Sequence, residues 1–407
     1  MFFMFASWKK KRVYLDIASA TPVHKAVQKA MAPYFRTNFG NAGSVHYEGQ
    51  IAHYAIENAR QTLARVLRIR SSGIVFTGSG TESNNLAIFG AIQARNKEGI
   101  AYTDMEIIST AIEHASVLEA LACVASWGVK IIYAPLNEFG TIDIKAFTQH
   151  ISTKTIFVTF AYANSEIGVV QPVAKLARIV RSHEVKHNTR IYVHIDGAQA
   201  PLWLPCALDA LLVDIVSLDA GKCNGPKGVG VLAMRHGVSL ASHMYGGLQE
   251  GGLRPGTENT PLIVGAVKAL VMAQDTHQTR SALVAKQRDM FMRMLTETIE
   301  GTQVNGSVEE RIANNVNVSI SGIDAEFAVI SLDEAGIACS TKSACGGARG
   351  DGSSVILTLT GDATRATSTI RFSLGEGTTL RELSYVTKVL KKHVETTRQA
   401  MQKLTSR

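Results

Sequence analysis

Seven short β-like runs, most of them set apart by helical chain, constrain this 407-residue sequence more than any other feature. They fall at 73–76, 105–109, 129–133, 155–160, 190–195, 212–217 and 228–234. Helical stretches such as 117–125 and 173–182 separate several of them. Strands joined by helices of that length can lie parallel, because a parallel pair needs a crossover and a helix supplies it. The alternation therefore predicts an α/β fold, with a mostly parallel seven-stranded sheet covered by helices. Ahead of it, 50–67 shows the helical pattern clearly, with Ile51, Tyr54, Ala55, Ala59, Leu63, Val66 and Leu67 recurring near one face.

The glycine-rich stretch 245–256 leads into a long helical region from Pro261 to about Thr298. A second set of elements follows: strand-like 315–320, helix-like 325–334, strand-like 369–374 and a closing helix from Leu380. The expected division is a large domain over 17–262 and a small α+β C-terminal domain over 263–407, with the N-terminal segment 1–16 packing on the small one. At 46% hydrophobic residues the chain can bury a sizeable core. No apolar run approaches the ~20 residues of a membrane span. The apolar start Met1–Ala6 has its charges, Lys9 to Arg12, behind it rather than in front, unlike a secretory signal. Five cysteines without a framework pattern suit a reducing compartment, and no C-x-x-C pair suggests a metal site. A cytoplasmic protein is expected.

The turns between these elements carry the chemistry. Lys222 follows the apolar stretch 210–216 in the glycine-rich run Asp219-Ala220-Gly221-Lys222-Cys223-Asn224-Gly225-Pro226-Lys227. A lysine held there away from water has its amine pushed toward neutrality, as a Schiff base with an aldehyde cofactor requires. Taken alone, Lys222 and Lys227 read as solvated loop lysines. Other segments change that reading. Thr77-Gly78-Ser79-Gly80-Thr81-Glu82 joins a strand to a helix, where small residues let backbone amides close on a phosphate. Asp196 ends a β-like run and suits a pyridine nitrogen that must stay protonated, with Gln199 in reach of the ring hydroxyl. Asn164, after 155–160, suits the same hydroxyl. His114, in Ile112-Glu113-His114-Ala115, offers an imidazole to stack on a ring.

In this order the segments resemble the cysteine desulfurases of the NifS/IscS type, class V aminotransferase relatives with the fold type I architecture of pyridoxal-phosphate enzymes. Further landmarks are Phe39-Gly40-Asn41, Thr81-Glu82-Ser83-Asn84-Asn85, Arg254-Pro255-Gly256-Thr257-Glu258-Asn259, Ser343-Ala344-Cys345 and Ile370-Arg371-Phe372-Ser373-Leu374-Gly375, and the resemblance runs from Tyr14 to about Val394. It implies pyridoxal 5'-phosphate held by Lys222, Gly80, Thr81, Asn164, Asp196, Gln199 and Thr257, the last from the other subunit of a homodimer. It also implies L-cysteine as substrate, bound through Arg371 and Asn164. Lys222, His114 and Cys345 would be catalytic, with Cys345 taking the sulfur as a persulfide. The small-residue segment around Cys345 reads as a mobile loop, as a sulfur carrier needs. Cys123 and Cys206, in or beside apolar runs, read as core residues. The resemblance implies a sulfur-acceptor protein, serving iron–sulfur clusters or tRNA thiolation.

Two positions depart from the family, which commonly has a serine and a histidine three and one residues before the lysine, both helping to bind phosphate. Here they are Asp219 and Gly221. An aspartate beside a phosphate is unfavourable unless protonated, turned away or paired with a base. The expectation is a modified cup in which Asp219 faces away, toward a basic group. Two other readings stay open: a selenocysteine lyase or small-amino-acid aminotransferase of the same fold, and a non-catalytic scaffold for a sulfur-carrier partner. The net charge of +8, much of it at 9–12 and along the closing helix, reads as a solvated basic face. Direct nucleic-acid binding is not expected.

Overall fold

The computed structural model describes residues 12–341 and 352–405. The strands among them are β1 (Val13–Tyr14), β2 (Ile74–Thr77), β3 (Glu106–Ser109), β4 (Lys130–Tyr133), β5 (Thr155–Ala161), β6 (Tyr192–Asp196), β7 (Ile215–Asp219), β8 (Gly230–Met234), β9 (Thr302–Val304), β10 (Asn315–Ile320), β11 (Ile337–Ala338) and β12 (Thr369–Ser373).

β2 to β8 form one seven-stranded sheet in the order β2-β8-β7-β6-β5-β3-β4. The strands from β4 to β7 in that order are parallel, and β8 runs antiparallel to both its neighbours. The reversal has a local cause: β7 and β8 are joined by the turn carrying Lys222, which is too short for a crossover. Phe157, Val158, Val193, Ile195, Val216 and Leu218 are essentially without exposure, as strands covered on both faces require. Each such side chain contributes on the order of 1.5–3 kcal/mol by leaving water. The helix Gly80–Lys97 is buried around much of its girth, with Leu86, Ala87, Ile88, Ala91 and Ile92 all inaccessible. It packs on β7 and β8 and against the helix Ala115–Ser126.

The helix Thr260–Thr298 starts from Asn259, whose side chain accepts the Leu262 N–H, with Pro261 in its first turn. Its length, about 58 Å at 1.5 Å per residue, lets it pack on the helix Tyr47–Leu67 and on the closing helix Leu380–Thr405. The second sheet is antiparallel, β12-β10-β9, with Asn317 opposite Arg371. β1 pairs in parallel with β11, and Asp16 bridges to Ser373 on β12. The first described residues are thereby tied to the elements that follow residue 300.

Candidate active site

Most residues of the site lie at or just beyond the ends of five strands of the large sheet, β2, β3, β5, β6 and β7. The turn after β2 is built by local hydrogen bonds. Ser79 accepts the Glu82 N–H, Gly78 N–H donates to Glu82 Oε2 at 2.7 Å, and the Thr77 and Ser83 hydroxyls lie 2.7 Å apart. A Cβ on Gly230 would lie 2.3 Å from the Ser79 carbonyl carbon, so β8 can pass behind this turn only with glycine there. The N-terminal N–H groups of the helix Gly80–Lys97 lack partners within the helix and attract negative charge.

The negative charge that meets them is Asp219, the last residue of β7. Its Oδ2 accepts the Gly80 N–H at 3.3 Å and its Oδ1 accepts the Gly221 N–H at 2.8 Å. This corrects the expectation that Asp219 turns away toward a basic group: it points into the cup. The reason is local, because two N–H donors converge on the carboxylate where the chain turns sharply after β7. Lys222 closes that turn, half-buried, with no carboxylate within ion-pair distance among the described residues. Lys227 is exposed. Thr81 is exposed at the helix start, and Thr257, also exposed, lines a small pocket with Thr77 and Gly78 rather than bonding to the cup.

Asp196 ends β6, one strand over. Its Oδ1 accepts the Ala198 N–H and its Oδ2 accepts Asn84 Nδ2, both at 2.9 Å. Asn84 also donates to Ser116 Oγ at 2.9 Å, and Ser116 meets His114 Nδ1 through its N–H at 3.1 Å and its hydroxyl at 2.8 Å. With Nδ1 accepting an N–H, the proton of the neutral ring is assigned to Nε2. Burial and the positive charge of Lys222 hold the His114 pKa below its ordinary value, against the opposing pull of Asp196 and Asp219. Beneath this layer His194 is fully buried between Thr159 and Ser217, at 2.8 and 2.9 Å, and burial lowers its pKa to about 4. Glu113 is buried as well. Desolvation pushes its carboxyl up to about 8, and the charge of Asp196 adds to the push. Asn84 and Glu113 lie inside motifs noted from the sequence and Ser116 just beyond one, but the network has no sequence signal, because only the fold sets helix Gly80–Lys97 beside helix Ala115–Ser126.

Asn164 ties its own turn to the segment before His114: Oδ1 accepts the Glu166 and Ile167 N–H groups and Nδ2 donates to the Ile112 carbonyl. Gln199 donates to the Ala18 carbonyl at 2.9 Å. Arg371, on β12, is 1% exposed. It donates to Asp16 Oδ1 at 2.8 Å, Ser19 Oγ at 2.7 Å and the Ser165 carbonyl at 3.0 Å, while its buried Nε has no partner. Asp16 is a site residue that sequence reasoning did not single out for a role.

Cys345 lies outside the described residues. The chain flanking it is held beside Arg371 and the Asn164 turn: Ser340 exchanges backbone bonds with Arg371, and Ser353 donates to Glu166. Cys206 and Cys223 are buried and their thiols are pushed up by burial, Cys206 to about 12. Burial likewise raises the Cys339 thiol. Cys123 is exposed on helix Ala115–Ser126, which corrects its reading as a core residue: the helix turns that position away from the sheet.

The donor set fits pyridoxal phosphate at the ring end. The Asp196 carboxyl group is supported by two donors, the amine of Lys222 is unpaired among the described residues, and burial biases the His114 imidazole toward its neutral form. At the phosphate end the right donors are present, Gly80 and Gly221, with Asp219 already on them.

Residues 13–386 match the family model described as aminotransferase class-V. The chain is 35% identical over 386 residues to a cysteine desulfurase IscS of Dictyoglomus turgidum, covering 95% of each chain. It is 34% identical over 389 residues to a cysteine desulfurase IscS of Methanosarcina thermophila, covering 96% of this chain and 93% of the other. Among solved structures, a NifS-like protein superposes with a TM-score of 0.86 at 31% identity, covering 95% of this chain and all of the other. A structure of SspA in complex with cysteine gives 0.77 at 31% identity, covering 89% and 99%.

Proposed function

The chain belongs to the aminotransferase class-V family, and on that premise we propose that it is a pyridoxal-phosphate-dependent cysteine desulfurase, converting L-cysteine to L-alanine with the sulfur held as a persulfide on Cys345. The observation that carries the reading is the meeting at His114 of Asp196, linked to it through Asn84 and Ser116, and of Lys222, whose charge reaches its ring. The similarity to cysteine desulfurases over nearly the full length agrees with it.

When bound, pyridoxal phosphate supplies an electron sink for bonds at the α-carbon of an amino acid. Asp196, fixed by Ala198 and Asn84, would hold the ring nitrogen's proton. Lys222 would hold the cofactor through its amine and move the substrate's α-proton. His114 would lie on the ring side of the site and offer its Nε2 proton. Two of the five N–H groups of Arg371 are left for the substrate carboxylate, the Nε–H and one on Nη1, because the other three hold Asp16, Ser19 and Ser165. Cys345 supplies the thiolate that takes the substrate sulfur and passes it to an acceptor protein, either an iron–sulfur scaffold or a tRNA-thiolating enzyme.

The same reading makes the enzyme a cytoplasmic homodimer, with Thr257 of the partner subunit completing the phosphate cup. No described helix is long and apolar enough to cross a membrane. Large apolar side chains exposed at Phe35, Phe39, Tyr47 and Tyr54, and at Tyr245 and Leu248, suit a face covered by a second copy. The separate sheets support a large domain over 17–262, a small one over 263–407, and a 1–16 segment on the latter.

Purified protein given L-cysteine and a thiol reductant should release alanine and sulfide in equal amounts, and Cys345→Ser should bind cofactor but form no persulfide. Keto acid in place of sulfide would make the protein an aminotransferase. Selenide from selenocysteine with no sulfide from cysteine would make it a lyase. No product from any of them would leave a scaffold.

A further inference from the structure

We infer that Asp219 is a built-in competitor for the cofactor's phosphate, so that cofactor binds by displacing a carboxylate of the protein itself. The inference rests on the reading that this cup takes pyridoxal phosphate. Three observations carry it. The carboxylate sits on the two backbone donors that frame the cup, Gly80 at 3.3 Å and Gly221 at 2.8 Å. It is packed there: a Cβ on either glycine would come within 3.2 Å of its side chain. And it has no lysine or arginine within ion-pair distance among the described residues, so these N–H groups and the helix N-terminus behind Gly80 are what hold it.

A phosphate wants the same donors and brings one to two negative charges of its own. Both anions cannot use the two N–H groups at once, and side by side they repel. Asp219 is only half-buried, so its side chain can swing toward solvent about its own rotamers while the backbone donors stay in place. The cup is thereby preformed and already satisfied without cofactor. Its affinity for phosphate is lowered by the work of expelling the carboxylate, while the Lys222 amine is left free to react. The consequence is a protein that takes up and loses its cofactor more readily than its other site residues imply. The part of the cofactor that senses the difference is the phosphate alone.

The test is titration of cofactor-free protein with pyridoxal phosphate and, separately, with pyridoxal, which lacks the phosphate, following the absorbance change in the native chain, Asp219→Ser and Asp219→Asn. Asp219→Ser should bind pyridoxal phosphate ~10-fold or more tightly than the native chain, equivalent to at least one more net charge-assisted contact. Asp219→Asn, which keeps the shape and removes the charge, should fall between the two. Pyridoxal should bind all three alike. Inorganic phosphate should raise the melting temperature of Asp219→Ser and leave the native protein unmoved. Equal or weaker pyridoxal phosphate binding in both variants would overturn the inference, as would a gain that extends equally to pyridoxal. If neither the native chain nor any variant takes up pyridoxal phosphate, the cofactor reading itself fails, and this inference with it.

Discussion

Asp219 and Asp16 stand at the two ends of one site, and different physics holds each of them. Asp16 meets a full cation: Arg371, 1% exposed, with Ser19 bonded to both partners. Asp219, half-exposed, meets only backbone N–H groups, one at a helix start and one in its own turn. A carboxylate that neutralises a buried guanidinium cannot leave without stranding a charge. One that satisfies half-exposed amides can, because water or another anion replaces it. The end proposed for substrate is therefore the fixed one and the end proposed for phosphate the exchangeable one, although both show an aspartate accepting hydrogen bonds.

Under the proposed function Lys222 serves both ends, so its loss should have the largest effect. Lys222→Ala should lower alanine formation by about 10²–10⁴-fold, the range for a proton-transfer group, with little change in thermal stability. A melt lowered as far as that of an Asp16 variant would make Lys222 a structural residue rather than a reacting one.

Next in size is the contrast itself. Asp16→Ala should cost about 1.5–3 kcal/mol of stability, the range for a hydrogen bond to a charged group, read from denaturant midpoints. Asp219→Ala should cost less, about 0.5–1 kcal/mol, the low end for losing a capping carboxylate. Equal losses at both positions would erase the distinction between a fixed and a displaceable carboxylate.

Glu113 sharpens the comparison from the interior. Burial first, and Asp196 with it, raises its pKa from the unfolded value near 4.5 to about 8. The folded state then holds a proton that the unfolded state has lost, so this group's contribution is complete below about pH 4.5 and disappears as pH rises toward 8. Glu113→Gln, neutral at every pH, should flatten stability between pH 5 and 8. At pH 8 it should match or exceed the native protein by on the order of 1 kcal/mol. A variant whose stability falls with pH as steeply as the native chain would show that Glu113 is ionised. The smallest effect belongs to exposed Lys227. Lys227→Ala should change stability by less than about 0.5 kcal/mol, and borohydride should still fix the pyridoxyl group on Lys222, as peptide mapping would show.

Much of the scaffold was legible because its period is local. The runs at 155–160 and 190–195 became β5 and β6 with ends shifted by a residue or two, and 315–320 became β10 without change. β1 and β11, two residues each, carry no pattern long enough to read, and their pairing joins positions more than 300 residues apart. The site divided in the same way. Asp196 and Lys222 were visible from their positions after apolar runs, whereas the Asn84–Ser116–His114 chain exists only where two helices pack.

The sequence by itself determined the order of strands and helices, the placement of Lys222, Asp196 and Arg371 at strand ends or within strands, and the family these motifs mark. Periodicity and turn chemistry act between neighbours, so they survive without a fold. The tertiary structure alone decided that Asp219 would point into the cup and that Asp16 would reach Arg371. Each is a hydrogen-bond choice among donors brought together from distant parts of the chain, and a buried or half-buried carboxylate takes whichever donors the packing leaves unsatisfied.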